Sequence, residues 1–214
     1  INHNNYISQF PLLIPQLQVG DTIEYKFFYT PNTWEQGSNR IYILTQSDYN
    51  SGEANISRSF NDVNIETITN QETTILFTVD TKGAVSVING LAFPVVNTVR
   101  AIGSTYPLQW PGNGWPHSDS TIAIPLFDDG THGDITQGDK IFSSKIIFPA
   151  FTPFIVSYKY AINWGDDANN GGGNDNEAGF GSDHIIKLTR RMKSATINNV
   201  FGTMGFRNLV DIIT

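Results

Sequence analysis

Short runs in which apolar residues alternate with polar ones recur along this chain and limit its fold more than any other feature. "DTIEYKFFY" (21–29), "NRIYIL" (39–44), "TTILFTVD" (73–80), "NTVRAIG" (97–103), "TIAIPLF" (121–127), "KIFSSKIIF" (140–148), "FIVSYKYAI" (154–162) and "HIIKLT" (184–189) are rich in β-branched and aromatic residues and bounded by Gly, Pro, Asn or Asp. A period of two over four to eight residues is the pattern of half-buried strands. Asn89-Gly90, Asp129-Gly130 and Pro111-Gly112-Asn113-Gly114 supply the positive φ that tight connections need. The only stretches with a helical look, "VNTVRAI" (96–102) and "FRNLVDII" (206–213), are too short to settle their own conformation. The expectation is an all-β protein of antiparallel sandwiches. At 214 residues the chain has room for one large or two small β domains of about 100 residues each.

One stretch of this sequence occurs twice in outline. "EYKFFYTPNTWEQGSNRIYIL" (24–44) and "SYKYAINWGDDANNGGGNDNEAGFGSDHIIKL" (157–188) each run from a Tyr-Lys-aromatic strand through a polar loop to Glu-x-Gly and a closing apolar strand. The second copy follows a long series of strand-like segments, whereas only residues 1–23 precede the first. A boundary near Thr69 is therefore expected. Residues 1–69 read as the C-terminal half of a sandwich module, 70–190 as a complete module and 191–214 as a C-terminal extension. A half-module exposes apolar faces and open strand edges. Self-association, or strand exchange with another chain or with the tail "SATINNVFGTMGFRNLVDIIT" (194–214), would cover them.

Charge and composition narrow the partners. The formal net charge is −7, and the basic cluster Lys187, Arg190, Arg191 and Lys193 reads as a solvated strand edge. Nucleic acid and anionic membrane surfaces are disfavoured, because both require clustered cations. No run of about 18 apolar residues is present, so no membrane-spanning helix is expected. There is no cysteine, which removes disulfides, thiolate metal sites and a cysteine nucleophile. "INHNNYISQF" has neither the basic start nor the apolar stretch of a signal peptide, so a secretion signal would lie upstream or have been removed.

The aromatic grammar resembles the family 20 type of carbohydrate-binding module, a starch-binding β-sandwich. The residues that carry the likeness are "YKF…WEQGSNRIYIL" in the first copy. In the second block, "ILFTVDTKGA", "VRAIGSTYPLQW", "LFDDGTHGDITQGDKIFSS", "VSYKY" and "NDNEAGFGSDHIIKL" resemble immunoglobulin-like, non-catalytic modules of secreted bacterial surface proteins. The resemblance implies an extracellular location and a choice between two roles, a structural or assembly module and a polysaccharide-binding module. It also implies a paired-tryptophan sugar platform, to which Trp110 and Trp34 correspond. These two fall in different modules, and the second module has Asn176-Glu177 where the family has Trp-Glu.

Exposed indole and phenol rings can stack on the apolar face of a pyranose while neighbouring polar groups take the hydroxyls. The candidates are Trp34, Glu35, Asn39 and Arg40 in the first copy, and Tyr106, Trp110 and Trp115 in "STYPLQWPGNGWP". Each ring also has a plain packing role available. Asp128, Asp129, Asp134 and Asp139 in "DDGTHGDITQGDK" could supply oxygens to calcium, although the spacing is not that of an EF-hand, or could close turns on backbone N–H groups. The same two readings apply to Asp166, Asp167, Asp175 and Glu177. His3, His117, His132 and His184 are scattered without a catalytic motif, and no carboxylate pair is marked as a hydrolytic dyad. The expectation is therefore that the chain is not an enzyme. Asn55-Ile56-Ser57 is a glycosylation sequon with meaning only in a compartment that glycosylates.

Overall fold

The computed structural model describes residues 16–29, 33–35, 38–87, 89–111, 122–166, 168–170, 177 and 182–211. The described residues are almost entirely strand, turn and extended connection, so the protein is all-β. The chain divides into two compact units, residues 1–62 and 63–214.

In the first unit, β1 (Thr22–Tyr25) pairs antiparallel with β4 (Arg40–Ile43), with Tyr25 opposite Arg40 and Thr22 opposite Ile43. Between them lies a small hairpin of β2 (Phe28–Tyr29) and β3 (Thr33–Trp34). A single turn and a half of helix, α1 (Gln46–Ser51), follows β4. Thr45 and Asp48 form a capping box at its start, and Gly52 ends it in the left-handed conformation, so local hydrogen bonds fix both ends of a helix too short to persist by propensity.

The second unit has two sheets that share one apolar core. The strands are β5 (Thr73–Asp80), β6 (Val99–Gly103), β7 (Ile124–Leu126), β8 (Ile141–Phe148), β9 (Ile155–Ile162), β10 (His184–Lys187), β11 (Ser194–Val200) and β12 (Phe206–Asn208). One sheet has the order β11-β5-β8 and the other β12-β10-β9-β6-β7. The period-two pattern of β5 places Ile75, Phe77 and Val79 inward, all at 0% exposure. From the opposite sheet, β9 sends Val156, Tyr158, Tyr160 and Ile162 into the same core. Phe77 meets Tyr158 edge to face at 5.0 Å, a favoured geometry for aromatic pairs. Gly103 in β6 sits where a Cβ would lie 2.4 Å from the Ser157 carbonyl oxygen, so this crossing requires glycine.

Three features depart from the sequence expectations. Pairing is not antiparallel throughout, because β11–β5 and β10–β12 are parallel. The segment expected to be an extension supplies β11 and β12, with Ala195, Ile197 and Phe201 buried. Within it Asn199, of a residue type depleted in strands, is buried and hydrogen-bonded. The division also falls after Asp62 rather than near Thr69. Thr67 and Thr69 are tied into the second unit by Phe154 N→Thr67 O at 2.8 Å and Thr69 N→Thr152 O at 2.9 Å. The two stretches with a helical look contribute β6 and β12.

Candidate functional site

The polar cluster at the centre of the second unit is built around Glu177, which is 3% exposed. Its Oε2 accepts the backbone N–H of Tyr160 at 2.7 Å, and its Oε1 accepts that of Gly202 at 3.0 Å. His184 Nε2 lies 2.9 Å from the same Oε1. On the other side of the ring, His184 Nδ1 faces Asn199 Nδ2 at 3.1 Å. The Asn199 amide nitrogen can only donate, so Nδ1 accepts and Nε2 carries the proton given to Glu177. Asn199 Oδ1 accepts both phenols, from Tyr158 at 3.1 Å and Tyr160 at 3.0 Å. Burial, with the Glu177 charge adding to it, pushes both phenol pKa values far above the usual range, so each remains an O–H donor. The Tyr158 and His184 rings are stacked with centroids 5.0 Å apart.

The first unit repeats this arrangement on different side chains. Glu35 is 4% exposed. Its Oε2 accepts the N–H of Phe27 at 3.1 Å, and its Oε1 accepts that of Asn61 at 2.8 Å. Phe27 ends the Tyr-Lys-aromatic motif as Tyr160 does. Arg40 takes the place of His184, reaching Oε2 through Nε at 2.8 Å and Oε1 through Nη2 at 2.6 Å. Tyr25 stands opposite Arg40 in the ladder as Tyr158 stands opposite His184. Asn61 and Gly202, the second backbone donors, both have positive φ, at 55° and 82°. The bidentate Arg40 bond and the two backbone donors outweigh desolvation and lower the Glu35 pKa from the ordinary 4.5 to about 2.

The glutamate of the Glu-x-Gly motif is thus explained. Each glutamate crosses from a loop to tie the aromatic end of the Tyr-Lys-aromatic motif to a turn about 25 residues further on, an interval read from Glu35 to Asn61 and Glu177 to Gly202. Arrangement and sequence agree beyond the motif, since "ANISRSFN" (54–61) aligns without gaps on "ATINNVFG" (195–202), both of the form Ala-x-Ile-x-x-x-Phe. That second alignment is the sequence signal for the role of 194–201, whereas Asn199 itself falls on Arg58 and is not announced by it.

The expected glycan contacts fare differently. Glu35 and Arg40 are engaged with each other, and Arg40 Nη2 also donates to the Ser59 carbonyl at 2.8 Å. Asn39 is exposed and donates to Glu24 Oε1 at 3.0 Å. The description of Trp34 extends to its backbone in β3, and Trp115 lies outside the described residues. Tyr106 is 66% exposed, and Trp110, in the same loop, is half-buried.

The aspartate loop connects β7 to β8. Asp128 accepts from Gly138 N at 2.8 Å and Asp139 N at 3.2 Å through Oδ1, and from Lys140 N at 3.0 Å through Oδ2. Asp134 accepts from Gly130 N at 2.7 Å, Asp139 from Ile141 N at 2.9 Å, and Asp129 from Thr131 N at 2.9 Å. The Thr131 hydroxyl, the largest influence, holds the Asp129 pKa below the usual carboxylate range. Asp128, Asp134 and Asp139 each bring one oxygen within 4.8 Å of the others. Three such oxygens could begin a calcium shell, which takes six to eight. The backbone donors already close the loop by themselves. Asp167 and Asp175 lie outside the described residues, as do His3 and His117, while Asp166 caps a turn by accepting from Asn169 Nδ2 at 2.8 Å. No helix among the described residues is long and apolar enough to cross a membrane.

Comparison with known proteins finds no family model that matches the chain and no curated protein that matches it significantly.

Proposed function

We propose that the chain is a non-catalytic tandem β protein of immunoglobulin-like, starch-binding-like modules, serving as a structural or assembly component of a secreted or cell-surface structure in a bacterium. The observation that carries this reading is the repeated carboxylate lock. In both units the buried glutamate has two backbone donors and a side-chain partner on its oxygens, which are thereby withdrawn from substrate. A hydrolytic carboxylate needs a cleft and an opposed partner across it. Here the same group joins strands in each copy, as expected of a module repeated for its architecture.

Polysaccharide binding is the second reading, and the exposure of Tyr106 beside Trp110 favours it. Affinity electrophoresis through gels containing soluble starch, glycogen or other polysaccharides separates the two. The structural reading expects unchanged mobility in every gel. Retardation that disappears in a Tyr106→Ala, Trp110→Ala double variant would overturn it in favour of glycan binding.

A further inference from the structure

Tension applied along the chain reaches the second unit through two strands that lie side by side. β5 is the first strand of that unit and β11 the last but one among the described residues. They run parallel over seven residue pairs, from Thr74 opposite Ser194 to Asp80 opposite Val200. The chain enters β5 at Thr73 and leaves β11 at Val200, at opposite ends of one ladder. Pulling therefore draws β5 toward its N-terminus and β11 toward its C-terminus, and the two strands are loaded to slide past each other. In that geometry the hydrogen bonds of the ladder stretch together, whereas strands pulled apart from one end lose them a pair at a time.

The seam is bonded beyond its backbone ladder. The buried Thr73 hydroxyl donates to the Met192 carbonyl at 2.7 Å. The Thr78 hydroxyl shares its proton between the Ile197 carbonyl at 3.1 Å and Asn198 Oδ1 at 2.9 Å. On the inner face Ile75, Phe77 and Val79 of β5 and Ala195, Ile197 and Asn199 of β11 are all buried, and a slip by one residue would turn each to the wrong side. Asn199 resists that slip directly, since it holds both phenols and His184. β11 has no ladder neighbour except β5 among the described residues, so load on β11 passes to the rest of its sheet through this seam, and β5 is in turn bonded to β8. The attachments outside the seam are shorter: β12 has three residues, all exposed, and the chain ahead of β5 makes the isolated bridge of Ile68 with Pro153.

We infer that the second unit is a load-bearing module and that the parallel β5–β11 seam is its clamp. The inference rests on the assembly reading and adds the work the module does there, which is to stay folded while the chain is under tension.

The test is single-molecule pulling on the full 214-residue chain, which has no cysteine, so two introduced thiols fix where force is applied. Glu72, Lys193 and Thr203 are exposed, so thiols there leave the core untouched. Handles on a Glu72→Cys, Thr203→Cys chain load the seam along its strands; handles on a Glu72→Cys, Lys193→Cys chain pull the same strands apart from one end. The unfolding force is expected to be several-fold higher along the first direction. Unfolding in urea, which has no direction, is expected at the same rate for both chains, so the difference under load belongs to the geometry. Adding Thr78→Val to the first pair is expected to raise the unfolding rate at fixed load by about two- to tenfold, the loss of one hydrogen bond across the seam. Equal forces in the two directions overturn the proposal. An unchanged rate with Thr78→Val overturns it as well, because the resistance would then lie between other strands. Retardation in polysaccharide gels would remove the assembly reading without altering these forces, so the two failures are distinguishable.

Discussion

Two buried glutamates do the same work with different partners, and their partners predict different sensitivities. Glu35 has a folded pKa depressed to about 2 from an ordinary 4.5. A depressed carboxylate contributes stability that is present above the unfolded value and lost as pH falls through the folded one. Acid should therefore loosen the first unit progressively between about pH 4.5 and 2, with falling protection, relative to the intrinsic exchange rate at each pH, of the Phe27 and Asn61 amides that donate to Glu35. In Glu35→Gln those amides should already have low protection at neutral pH, and that protection should change little with pH. Asn199 is the corresponding keystone of the second unit. Tyr158→Phe leaves Oδ1 with the Tyr160 donor and should cost about 1 kcal/mol, whereas Asn199→Ala strands two phenols and His184 Nδ1 in the core and should cost about 3 kcal/mol or more. Urea unfolding of the two variants, compared at equal slope, measures the difference. Equal costs would mean that the network is not the hub described.

Strands written in alternating apolar residues were legible without a structure, and all eight of the runs picked out contribute strand residues. Those that escaped did so for physical reasons. β11 is half polar because its outward face is open and one inward position is Asn199, whose burial depends on three distant partners. α1 is fixed by a capping box rather than by an apolar stripe, and none of its residues is buried. The Glu-x-Gly motif was visible, but its purpose required the backbone donors at 61 and 202, which no local pattern announces. β11 also ties the segment expected as a C-terminal extension, 191–214, into the second unit's sheet. Ending the chain at Arg191 removes one of the two neighbours of β5 together with the buried side chains of Met192, Ala195, Ile197, Asn199 and Phe201, and should unfold the second unit, seen as loss of its cooperative transition in circular dichroism. For the β7–β8 loop, closure by backbone donors predicts equal melting temperatures in millimolar calcium and in chelator, and a loss of about 1–2 kcal/mol in Asp128→Asn, which gives up one charged acceptor. A calcium-dependent rise of several degrees would identify Asp128, Asp134 and Asp139 as ligands instead.

At the scale of the molecule, one motif set has been folded in two settings, and each unit can be judged by how well its shared elements are covered. Local opening is cheapest where backbone lacks a ladder and apolar side chains are poorly buried. In the second unit β5 is flanked on both sides and β9 lies between β6 and β10, with Lys159 at 4% exposure and paired with Asp183 at 3.3 Å. In the first unit Arg58 is exposed in the stretch 54–60, which joins no strand ladder among the described residues, and its Nη1 donates to the neighbouring Ser57 carbonyl at 2.7 Å. Trypsin should therefore cut the native chain after Arg58 well before it cuts at Lys159 or Lys145, although Lys145 is itself exposed, because β8 would have to leave its ladder with β5 to enter the protease. Mass spectrometry of brief digests should show residues 1–58 and 59–214 as early products. Early cleavage at Lys145, with Arg58 intact, would mean that 54–60 is already well covered in the isolated chain, and the contrast between the two units would lose its basis.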